Sequence, residues 1–154
     1  MAQVFLDRLS KAAHVESVVV QDSAIKNGQF LKLGVLDTDG ERRVATKATG
    51  DADAEVFLAD APVDYGYVNV DGTTFDLDKY ELAAGKTGRA IHVAKGEIIS
   101  VSEDLVTGSV SVGDELSVND NGLGFKKATG KGVALLIGKE AQDFGKEAYV
   151  VAFK

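Results

Sequence analysis

Few side chains in this sequence could do chemistry, and they are scattered. His14 and His92 are the natural candidates for proton transfer or metal ligation, yet neither has a second ligand at a sequence spacing that metal sites use. His92 lies between Ile91 and Val93, so strand alternation sends it to the opposite face, where a solvated or hydrogen-bonded histidine is expected. Gly85-Lys86-Thr87 has the closing residues of a phosphate loop, but Tyr80 stands where the loop's first glycine belongs. Without that glycine the backbone amides cannot wrap a phosphate, and a polar turn is the expectation. Asp37-Thr38-Asp39-Gly40 and Asn119-Asp120-Asn121-Gly122 begin like calcium loops. In the first, Arg42 occupies the position that needs glycine. In the second, counted from Ser117, Ala128 occupies the position that needs a bidentate glutamate. Both read as Asx-type turns.

Nucleophiles fare no better. The chain has no cysteine, which removes disulfides, thiolates and Cys-ligated zinc together. No G-x-S-x-G elbow is present, and the carboxylates are too many for any pair to be singled out for acid–base work. Asp78-Lys79 is similar to a lipoyl-attachment turn, but Tyr80 follows where that turn has alanine. Catalytic residues: none; metal and cofactor sites: none. An enzyme is not expected.

The remaining sequence is built to hold a shape. With 154 residues, 45% hydrophobic and 27% charged, it suits one domain with a real core. There are 24 acidic and 17 basic residues, a net charge of −7, which argues against general affinity for nucleic acid or an anionic membrane. The first residues lack the basic region and apolar run of a signal peptide. No stretch of about 18 uncharged apolar residues occurs that would span a bilayer.

Short apolar or alternating runs recur between Gly, Asn and Asp turns at roughly the 8–12-residue spacing of sandwiches and barrels. Strands are expected at 15–20, 30–36, 42–45, 55–59, 65–70, 73–77, 89–93, 98–101, 109–112, 116–118, 133–137 and 148–153. Asp71-Gly72 signals one hairpin, and Gly113-Asp114-Glu115 a second between 109–112 and 116–118. Residues 1–14 differ. Phe5, Leu9, Ala12 and Ala13 fall at helical spacing, so the segment reads as an N-terminal arm or a short amphipathic helix. The expected fold is all-β: a compact β-barrel or β-sandwich, β-tulip-like, over 15–154, with the arm and one or two short helices.

A family likeness rests on particular residues. Gly85-Lys86-Thr87-Gly88-Arg89-Ala90-Ile91-His92-Val93 leads through Gly96-Glu97 to Val112-Gly113-Asp114-Glu115-Leu116. Asn121-Gly122, the strand at Ala134 and Val150-Val151-Ala152-Phe153 follow, and Gly28-Gln29-Phe30-Leu31-Lys32-Leu33-Gly34 opens the first half. In order and texture the chain after His14 resembles the capsid decoration, or cement, proteins of tailed bacteriophages. The resemblance implies a non-enzymatic virion protein on the outer face of an icosahedral capsid, bridging subunits of the major capsid protein. It implies self-association, a trimer being favoured, and synthesis in the host cytoplasm without a signal peptide. The arm would then supply the capsid or subunit interface through Val4, Phe5, Leu6 and Leu9. The resemblance leads one to expect an added β-strand at the arm, whereas its own pattern looks helical.

Two other readings remain. One is a different virion part, a head fibre base or tail-tube subunit. The other is a glycan- or small-molecule-binding β-barrel, in which Tyr65, Tyr67, Phe75 and Tyr80 would line a stacking face.

Overall fold

The computed structural model describes residues 2–60, 80–141 and 146–154. Among them are twelve strands and two single-turn 3₁₀ segments, at Asp51–Asp53 and Glu103–Leu105. In chain order the strands are β1 (Val4–Phe5), β2 (Val15–Val19), β3 (Phe30–Leu36), β4 (Arg43–Lys47), β5 (Val56–Leu58) and β6 (Thr87–His92). They continue with β7 (Ile98–Ser102), β8 (Val106–Thr107), β9 (Glu115–Val118), β10 (Phe125–Lys127), β11 (Ala134–Ala141) and β12 (Glu147–Phe153). The fold is all-β, as the turn-punctuated apolar runs require.

The strands divide into a closed five-stranded barrel, β2-β4-β3-β5-β6, and a seven-stranded sheet, β1-β7-β12-β11-β9-β10-β8. Pairing is antiparallel throughout except for β2 with β4 and β8 with β10. Alternation along the barrel strands sends Val18, Leu31, Ala45, Val56, Leu58 and Ala90 into one core, with Leu33 packed against it. The opposite faces of β3 and β5 carry Phe30 and Phe57, which belong to a second, larger core with Ile99, Val101, Leu116, Phe125, Leu136, Val151 and Phe153. Barrel and sheet therefore share a core through the barrel wall. Phe30 sits with its ring centroid 4.8 Å from Phe57 and meets Phe125 edge-on at 5.2 Å, both ordinary aromatic pairings.

Backbone bonds cross the same junction. Phe30 N–H donates to the Gly122 carbonyl at 2.7 Å, and Gly124 N–H to the Gly28 carbonyl at 2.9 Å. The Val118 N–H donates to the Asp51 carboxylate at 2.7 Å. Gly124 has φ +68°, and a Cβ there would lie 2.0 Å from the Leu105 carbonyl oxygen. Only glycine lets the chain approach so closely in the left-handed region.

Two sequence expectations are corrected. The arm is not a helix. Val4 and Phe5 extend the sheet by pairing with Val101 and Ser100, and two turns closed by Leu9 N–H to Leu6 O and Ala13 N–H to Ser10 O follow. A segment this short gains little from helix formation, whereas the edge of β7 offers it partners. The Glu97 carboxylate holds the next turn, accepting from the Ser10 amide at 2.9 Å and from the Ser10 hydroxyl. The hairpin expected about Gly113 also fails to form, because 109–112 is not a strand. Val110 drops into the core while Val112 stays exposed, and β9 pairs with β10 and β11 instead. Asp114 closes the turn by accepting from the Ser111 amide. The expected strands at 65–70 and 73–77, with their Asp71-Gly72 hairpin, lie outside the described residues.

Candidate functional site

At one end of the barrel, polar side chains continue the inward-facing rows of β2 and β6. His14 and Glu16 flank Val15 at the start of β2, so they share a face of the strand. Glu16 stands two residues before Val18, and His92 two after Ala90, so both continue rows whose next members lie in the barrel core. β2 pairs with β6 in the register Val15↔Ile91 and Glu16↔Ala90, and the His92 N–H donates to the His14 carbonyl at 2.9 Å. Strand pairing thus sets the two histidines side by side, although 78 positions separate them in sequence.

Their rings stack with centroids 4.2 Å apart and planes 6° from parallel. His14 is exposed on the outer side of the stack, while Glu16 and His92 are half-buried. His92 Nε2 lies 3.1 Å from Glu16 Oε2. Neither of these two buried atoms has a hydrogen-bond partner. The other oxygen, Glu16 Oε1, accepts from Arg43 Nη1 at 3.4 Å. Arg43 is itself fixed by donating to the Gly34 carbonyl from Nε at 3.0 Å and from Nη2 at 2.9 Å. One ligand-type atom from each of His14, Glu16 and His92 lies within 4.8 Å of the others. Sequence spacing missed this group because the second histidine arrives from another strand. A His-x-Glu at the start of a strand was the available signal.

A second feature lies on β3, two strands away from β2 in the barrel order. Val35 and Leu36, at the end of β3, are 79% and 59% exposed. The turn that follows is rigid. Arg42 pairs with Asp37 at 2.9 Å and Asp39 at 3.2 Å, and it donates to the Gly85 carbonyl and the Thr87 hydroxyl. Thr38 N–H donates to the Asp37 carboxylate, and this with Arg42 holds the Asp37 carboxyl below its ordinary range. Asp37 and Asp39 therefore build an Asx-type turn, and Asn121 does the same by accepting from the Leu123 amide.

The residues put forward for a subunit interface are placed as follows. Val4, Leu6 and Leu9 pack against the large core of their own chain, and Phe5 is half-buried in β1. Of the four aromatics suggested as a stacking face, Tyr65, Tyr67 and Phe75 lie outside the described residues. Tyr80 donates its hydroxyl to the Asp60 carboxylate at 2.5 Å. Partial burial, first, and that carboxylate raise its pKa above the ordinary tyrosine value. Asp78-Lys79 also lies outside the described residues. No helix among the described residues is long and apolar enough to cross a membrane. Compared with known proteins, the chain matches no family model and no curated protein.

Proposed function

We propose that this protein is a structural, non-enzymatic component of a virion that binds the outer face of an icosahedral capsid and bridges subunits of the major capsid protein. The observation that carries the reading is the rigid β3–β4 hairpin with its exposed Val35 and Leu36. Burying the remaining exposed area of these two side chains would contribute roughly 2–4 kcal/mol. A hairpin already ordered by Arg42 loses little entropy on docking, which favours using that gain for affinity. Modest contacts of this size become strong when repeated over a symmetric shell or within a trimer.

The reading also draws on the sequence likeness to capsid decoration proteins and on the added β-strand that this likeness leads one to expect at the arm. Val4, Leu6 and Leu9 pack on the large core of their own chain, and the hairpin is proposed as a contact in addition to the arm. Cosedimentation with capsid shells lacking this protein tests it. Saturable binding at a symmetric copy number is expected, with a Val35→Asp, Leu36→Asp double variant binding at least ~10-fold more weakly. A folded protein that leaves such shells bare overturns the proposal. Spontaneous assembly into tubes would favour the tail-tube alternative, and binding to a glycan array the ligand-barrel alternative.

A further inference from the structure

We propose that His14, Glu16 and His92 form a binding site for a divalent metal ion of the zinc class. The site does not depend on the capsid reading. Two imidazoles and one carboxylate are the donor set that borderline ions such as Zn²⁺ and Co²⁺ accept, whereas calcium and magnesium require oxygen ligands.

The close Glu16–His92 pair, with His14 converging on it, carries the inference. Buried polar atoms are almost always hydrogen-bonded, because leaving one unmatched costs on the order of a kilocalorie per mole or more. Here two such atoms, Glu16 Oε2 and His92 Nε2, face each other at ion-pair distance, 3.1 Å, and neither meets hydrogen-bond geometry with the other or with any third group. That separation is close to the edge of a tetrahedron built on metal–ligand bonds of about 2.0–2.1 Å, which is roughly 3.3 Å. One ion beside both atoms would satisfy both at once.

The surroundings suit this role. Arg43 takes the other Glu16 oxygen, which holds the carboxylate with Oε2 turned toward His92 and the ion position. The β2–β6 pairing fixes the backbones of His92 and Glu16. His14 stands at the exposed edge of the stack, so its ring can turn from the parallel arrangement to aim a nitrogen at the same point. Three protein ligands would leave a fourth position for water. An ion held here would tie the start of β2, where the arm enters the barrel, to the end of β6.

The test uses the full chain stripped with a chelator and titrated with Co²⁺ or Zn²⁺. One equivalent is expected to bind, with the intense visible absorption of tetrahedral Co²⁺, and saturating Zn²⁺ should raise the melting temperature. Glu16→Gln and His92→Ala should each weaken binding by 10-fold or more. His14→Ala changes an exposed side chain and leaves the fold intact, so it tests the site even if the other variants fail to fold. It too should weaken binding about 10-fold. No uptake, or uptake of several equivalents that these variants leave unchanged, overturns the proposal and leaves a plain His92–Glu16 ion pair.

Discussion

Replacing Phe30 with alanine should unfold barrel and sheet together. Phe30 is fully buried, lies on a barrel strand, and contributes its ring to the sheet's core beside Phe57, Phe125 and Phe153. Large-to-small changes of a buried phenylalanine cost about 3–5 kcal/mol through lost transfer energy and the cavity left behind. The cavity would open between two fixed β layers, and the lost ring pairings add to it, so the upper part, about 4–5 kcal/mol, is expected. That is a large share of the ~5–15 kcal/mol that holds a domain together. Urea unfolding followed by circular dichroism gives the total loss. Amide exchange then resolves where it falls, with Val18 reporting on the barrel and Val151 on the sheet. Both amides should lose protection by the same free energy, with the denaturant slope unchanged. Phe30→Leu keeps most of the volume and should cost only about 1.5 kcal/mol, giving a folded variant for the same comparison. A loss under about 1 kcal/mol for Phe30→Ala would refute the shared core, and so would exposure of barrel amides while the sheet stays protected.

Two further outcomes follow from the geometry. Gly124→Ala should destabilise by at least about 2 kcal/mol, since its Cβ would collide with the Leu105 carbonyl in a left-handed backbone. Gly40→Ala, at φ +73° but in open space, should cost only about 1 kcal/mol, and paired thermal melts separate collision from backbone strain. Acid should weaken the fold through two neighbouring carboxylates. Lys154, then the Gly132 amide, holds Glu115 below its ordinary value of 4.5, while Lys127, then the Ser111 amide, holds Asp114 below 3.8. A depressed folded-state pKa means that their contribution is complete above those ordinary values and is lost as pH falls through the lower folded ones. Urea midpoints should therefore be level from pH 7 to about 5 and fall below 4.5, less steeply for Glu115→Gln; an equally steep fall in that variant would contradict the assignment.

Local patterning carried the strands and many of the turns. Period-two and solid apolar runs were enough to mark β2, β3, β7 and β12, because a half-buried pleated surface demands that alternation wherever it lies. The Asp37 and Asn121 turns were legible for a similar reason, since an Asx side chain bonds its own backbone within a few residues. Where competition between partners decided, sequence reading failed. The helical spacing of Phe5 and Leu9 was real, but the edge of β7 offered Val4 and Phe5 partners that a three-turn helix could not match. Residues 109–112 looked like half a hairpin, yet β9 found better neighbours in β10 and β11. Of the group at the barrel end, only the His14-x-Glu16 half was visible in spacing. The β2–β6 register alone brings His92 to His14 and Glu16 and leaves two buried polar atoms facing each other. Side-chain type and local alternation are properties of a few neighbouring residues, so the sequence determines them. Which strand lies beside which depends on burying every apolar face at once, and only the tertiary structure settles that.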